Sequence, residues 1–172
     1  MSMRSSFDRG YGFTIEGCDD LTVLKAVANH EETLKKILGK DVGIFSRLAT
    51  EFADDDDFAF ADIDGEDLEE IEDLLDGSPI DISFDSDTQA FYLALYTEII
   101  GKETDVFVVF SEGQEDVGSY PAIMLPYMAP WFYGKKERNM SEDEFVRAMI
   151  PYTDELNIPK EEIGEVEVEY YG

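Results

Sequence analysis

Any chemistry in this chain has to come mainly from carboxylates, because nucleophiles and soft ligands are scarce. The 172 residues include 41 Asp and Glu but one cysteine, Cys18, and one histidine, His30. Asp62-Ile63-Asp64-Gly65 has the look of a calcium loop, in which acids at alternating positions precede a glycine that permits a sharp turn. The register fails. With Gly65 as the sixth loop residue, the first would be Phe60 and the twelfth Ile71, so the opening ligand and the closing bidentate glutamate are both missing. Clustered carboxylates leave divalent-metal binding open as a reading, without a nameable site. A Cys/His nucleophilic pair would have to join Cys18 to His30, and nothing in their surroundings supports it. Zinc is excluded within one chain by the same shortage. There is no Walker-type phosphate loop, no Gly-x-Gly-x-x-Gly and no Gly-x-Ser-x-Gly. Trp131, Phe132 and Tyr133 could line a sugar-binding cleft, but 41 acids supply so many accidental carboxylate pairs that the pairing says nothing. No catalytic residue, metal ligand or cofactor is assigned, and the chain reads as a non-enzyme.

The informative feature is where the acids fall. With 13 Lys and Arg the formal net charge is −28. Residues 1–47 balance seven bases against seven acids, residues 48–101 carry 18 acids with no Lys, Arg or His, and residues 102–172 hold 16 acids and six bases. Within the middle segment, residues 54–76 contain 13 carboxylates: Asp54, Asp55, Asp56, Asp57, Asp62, Asp64, Glu66, Asp67, Glu69, Glu70, Glu72, Asp73 and Asp76. A polar acidic run is ordinarily disordered. Here Phe58, Phe60, Ile63, Leu68, Ile71, Leu74 and Leu75 are threaded through it, which predicts a packed element instead.

The elements that would position these acids follow from periodicity. Residues 11–16 alternate as a strand, Asp19 or Asp20 can cap a helix, and one apolar stripe runs from Leu21 to Leu38 before Gly39. Phe45, Leu48, Ala49 and Phe52 predict a short helix. A helix over 66–76 is stopped by Gly77-Ser78-Pro79. Ile80, Ile82 and Phe84 alternate with polar residues as a half-buried strand. A deeply buried helix over 88–100 with Asp87 as its cap follows, then a central strand at 106–110 and a hairpin to 120–125. Ser141-Glu142-Asp143-Glu144 is a capping box, flanked by Met140 and Phe145 as a hydrophobic staple, so a helix starts at Glu142. Pro151 should end or kink it. Residues 165–170 alternate as the last strand. The expected architecture is α+β, one domain over 1–172, with a mixed or antiparallel sheet and several helices.

On a helix over 66–76 the apolar residues share one arc, and Glu66, Glu69, Glu70, Asp73 and Asp76 share the opposite one. Seven carboxylates over about 16 Å give one per about 2.4 Å, against one phosphate charge per about 1.7 Å of duplex DNA. Glu165, Glu167 and Glu169 would add a row spaced about 6.7 Å apart on a strand. Such repulsion costs stability, a few tenths of a kcal/mol per helical pair, and a cationic partner surface would offset it. The expectation is an inhibitor that mimics nucleic acid and fills the basic channel of a nuclease or related protein, with these acids as its contact. By charge and size it is similar to phage-encoded anti-restriction and anti-CRISPR inhibitors, an analogy that no motif carries. The same electrostatics would serve an immunity protein or chaperone for a basic toxin, and an acidic face is also commonly just hydrated. Direct binding to nucleic acid or to an anionic membrane is disfavoured by repulsion. The basic cluster Lys135, Lys136 and Arg138 offers a surface for the acids of a second copy, so a homodimer is an option. No run reaches the 18 to 20 apolar residues of a membrane span and no signal-like segment opens the chain, so a cytoplasmic, soluble protein is expected.

Overall fold

The computed structural model describes residues 5–113, 119–126 and 140–171. Among them are six α-helices and a four-stranded antiparallel sheet, so the fold is α+β. The chain divides into two compact units: residues 1–17 with 104–172, and residues 18–103. No linker composition marks either boundary.

The unit over 18–103 is helical. Asp19 caps α1 (Asp20–Ala28), its carboxylate accepting from the Thr22 N–H at 3.0 Å. The single helix expected through residue 38 is in fact two. Asn29 ends α1, His30 adopts φ −113° and ψ 32°, and α2 (Glu31–Leu38) begins anew. The break lets each half aim its own apolar residues inward: Val23, Leu24 and Val27 from α1, Leu34 and Leu38 from α2. Gly39 closes α2 in the left-handed conformation, φ 67°, which glycine adopts without steric cost. Then come α3 (Ile44–Glu51), a 3₁₀ turn at Phe60–Asp62, and α4 (Gly65–Leu74). The last helix is α5 (Gln89–Thr104), in which every residue from 91 to 100 except Glu98 is buried. Thr88 rather than Asp87 caps it, through a contact from the Phe91 N–H to Thr88 Oγ1 at 3.4 Å. Aromatic packing dominates the core here. The Tyr92 ring lies flat on Phe60 at 3.8 Å between centroids and meets Phe45 and Phe91 edge-on.

Residues 80–84 do not form the expected strand. Ile80, Ile82 and Phe84 are half-buried and Asp81, Ser83 and Asp85 exposed, so the alternation is real, but among the described residues it has no ladder partner, because the described sheet is built wholly from segments of the other unit.

That other unit holds β1 (Ser5–Thr14), β2 (Val109–Ser111), β3 (Ala122–Pro126), α6 (Glu142–Glu155) and β4 (Gly164–Tyr171), with strand order β2-β3-β1-β4. Of the run over 106–110, expected as a central strand, only Val109 and Phe110 enter β2, which lies at the edge of the described sheet because its one described neighbour is β3. Val106 and Val108 are buried while Phe107 is 43% exposed, a half-buried pattern. Gly10 and Gly12 let β3 press close on β1: a Cβ at Gly10 would sit 2.5 Å from the Leu125 carbonyl oxygen, and one at Gly12 would run into the Ile123 carbonyl. Ala122, Met124, Val166 and Val168 form a buried cluster with Val109 against it. Tyr11 meets Phe145 of α6 edge-on at 5.3 Å. Ser141 caps α6 as expected, its Oγ accepting from the Glu144 N–H at 3.2 Å. Pro151, by contrast, neither ends nor interrupts this helix, which runs on to Glu155. Proline removes the bond that would reach the carbonyl of Arg147, and both residues are exposed, so water can serve that oxygen.

Candidate functional site

The acidic run over 54–76 is folded, and its carboxylates divide by what they touch. Some are spent on the fold itself. Asp62 accepts from the Ala59 N–H at 3.0 Å, and Asp64 caps α4 through the Glu66 N–H at 2.8 Å. Glu72 accepts from Ser86 Oγ at 3.0 Å, and Asp55 turns the chain by accepting from the Asp57 N–H at 3.1 Å. Asp62 and Asp64, the two acids that suggested a calcium loop, are thus turn and helix caps. Among the described residues, no three acidic, histidine or cysteine side chains gather as a metal site.

Cations from the electrically neutral first third fix the run in place. Arg47 donates to Asp67 at 2.7 Å and lies 3.6 Å from Glu70 and 3.8 Å from Glu51. Lys40 Nζ donates to the carbonyl oxygens of Asp73 and Asp76, at 3.1 and 2.8 Å. It thereby caps the C-terminal, partially negative end of α4, where a cation is favourable. Lys25 Nζ reaches the Ala53 carbonyl at 3.3 Å, just before Asp54. These partners lie 28 to 36 residues from the lysines and 20 from Arg47 at Asp67. That is why sequence reading missed them: only helical spacings of three or four signal a pair locally.

What is left is an outward array. Ile71 and Leu74 are buried on the inner side of α4, while Glu66, Glu69, Glu70 and Asp73 are exposed. Asp76 is exposed in the turn just past the helix, and Asp54 to Asp57 are exposed in the turn after α3. Glu66, Glu69, Asp54 and Asp56 carry no side-chain partner among the described residues. The five acids assigned to one arc of a 66–76 helix are all exposed. Asp67 is the member drawn partly inward, with 22% of its side chain exposed.

The second proposed row, Glu165, Glu167 and Glu169, lies on β4 opposite Tyr11, Arg9 and Phe7. Glu167 is paired with Arg9 at 2.8 Å and Glu169 is half-buried. The row is therefore not three equivalent charges. Around Tyr11 a different grouping emerges: burial, then the negative fields of Glu142, Asp143 and Glu165, push its hydroxyl above the usual tyrosine range. Glu142 and Asp143 are first-turn acids of α6, which sequence reading credited only with capping. The same unit has a cleft of about 390 Å³ between the end of β1 and the 3₁₀ turn Lys160–Glu162, with Glu16 and Glu162 on its walls.

Cys18 is half-buried, and burial followed by the charges of Asp19 and Asp20 pushes its thiol up to about 11, so it is a protonated, unreactive group at neutral pH. The aromatic segment 127–133 and the basic cluster Lys135, Lys136 and Arg138 lie outside the described residues. No described helix is long and apolar enough to cross a membrane. No family model, curated protein sequence or solved structure matches the chain.

Proposed function

We propose that the chain is a non-enzymatic acidic inhibitor that occupies the basic nucleic-acid-binding channel of a nuclease or related protein, in the manner of anti-restriction and anti-CRISPR mimics. The observation that supports this reading is the fixed outward array on α4. Exposed Glu66, Glu69, Glu70 and Asp73 stand on a helix whose other side is buried and whose two ends are tied down by Arg47 and Lys40. A rigid anionic array has little conformational freedom to lose on binding, and a complementary cationic groove attracts it at long range. Exposed charges are screened beyond about 8 Å at physiological ionic strength, so such binding is salt-sensitive.

The test is DNA cleavage by a panel of purified restriction and RNA-guided nucleases in the presence of the chain. At least one enzyme should be inhibited, with inhibition relieved by excess uncleavable duplex and by 0.5 M salt. A Glu69→Lys, Glu70→Lys, Asp73→Lys triple variant, checked by circular dichroism and thermal melting, should lose that inhibition. Equal inhibition by the folded triple variant, or none by the wild type across the panel, overturns the reading.

A further inference from the structure

The chain's one imidazole sits at the corner between α1 and α2. His30 Nδ1 lies 2.8 Å from Glu103 Oε2 in the last turn of α5, and Thr33 Oγ1 donates to the same oxygen at 2.5 Å. Both charged groups are largely screened from water, with 18% and 24% of their side chains exposed. The Tyr96 ring meets the imidazole edge-on at 5.9 Å. An ionised carboxylate can only accept, so the short contact places a hydrogen on Nδ1 and leaves Nε2 as the nitrogen that titrates. The described groups that face His30 are Glu103 and Tyr96 from α5 and Thr33 from α2, with Glu31 and Glu32 next along the first turn of α2. The Glu103 carboxylate at hydrogen-bond distance is the charge on which the clasp rests, and an opposite charge that close favours an imidazolium.

We propose that His30, Thr33 and Glu103 form a proton-operated clasp, which holds the α1–α2 corner to the last turn of α5 tightly when the imidazole is charged and loosely when it is neutral. The corner is where the helix expected from the sequence breaks, so the clasp acts at the junction that orients α2. The sign follows from linkage. A histidine that gains a carboxylate partner on folding binds its proton more tightly in the fold. Its stabilisation is whole below the unfolded midpoint and is lost as pH rises through the folded one. Carboxylates ordinarily titrate near 4, the Cys18 thiol is pushed up to about 11, and there is no second histidine. Glu98 is raised by burial.

The imidazole Hε1 resonance of the whole chain, followed by NMR against pH in buffer and in 8 M urea, tests this directly. The folded midpoint should lie about one pH unit above the urea midpoint, and Glu103→Gln should abolish the difference while Thr33→Ala reduces it. Thermal melts should show the wild type losing its advantage over Glu103→Gln between about pH 6 and 8, a comparison in which Glu98 cancels. Coincident folded and urea midpoints in the wild type overturn the clasp, as does a raised midpoint that survives Glu103→Gln. Should Glu103→Gln fail to fold, Glu103→Asp draws the carboxylate back by one methylene and must lower the midpoint.

Discussion

At the scale of single residues, environment decides what the few reactive groups can do. Cys18 shows this most directly. With its thiol at about 11 against an ordinary value of 9.0, the thiolate fraction at pH 8 is about a hundredfold below that of an unperturbed cysteine. Alkylation by iodoacetamide should therefore be about a hundredfold slower in the native chain than in urea, and its rate should climb about tenfold per pH unit up to about pH 10. Equal rates in the two states would mean that the thiol is not desolvated. The carboxylates follow the same logic. Sequence order could tell that Asp19 and Ser141 would cap helices, because a cap is defined by its next two or three residues. It could not tell that Asp67 would meet Arg47 or that His30 would meet Glu103, 73 residues away, since no local rule links such positions.

At the scale of elements, periodicity predicted what would be helical or extended, and neighbours decided the rest. The alternation at 80–84 and the apolar run at 106–110 are both present as burial patterns, yet among the described residues the first has no ladder and the second enters the sheet edge only with Val109 and Phe110. Strand status depends on a partner strand, which a sequence window does not contain. Pro151 failed as a breaker for a related reason. Its cost is one lost hydrogen bond and a steric clash on the solvent side, and the apolar face carrying Phe145, Met149 and Tyr152 remains buried. The prediction at this scale is that Pro151→Ala, which restores the N–H without touching the core, stabilises the chain by about 1–2 kcal/mol. The roughly 3 kcal/mol helix penalty of proline is partly offset by the rigidity it gives the unfolded chain. Urea denaturation reads this as a higher midpoint at an unchanged slope; an unchanged midpoint would mean that α6 has already relaxed around the ring.

At the scale of the whole molecule, the balance is set by a net charge of −28. The expectation of a packed rather than disordered acidic segment rested on the hydrophobes threaded through it, and Phe58, Phe60, Ile63, Ile71 and Leu74 are indeed buried. Their burial must outweigh repulsion among the exposed acids, so the chain should respond to ionic strength in the opposite direction from a protein held by surface ion pairs. Its melting temperature should rise by several degrees between 20 mM and 500 mM sodium chloride, as screening relaxes like-charge repulsion. A fall would show that the few ion pairs, such as Arg47 with Asp67, matter more than the summed field.

The placement of the holding cations has a further consequence for how the chain is made. Lys25, Lys40 and Arg47 all precede the acids and carbonyls they grip. During synthesis on a ribosome, helices α1 to α3 emerge first and can close their own apolar contacts before the anionic segment leaves the exit tunnel. Arg47 would then already be in place when Asp67 and Glu70 emerge, and Lys40 when the end of α4 does, so the order of translation favours docking of the most repulsive segment.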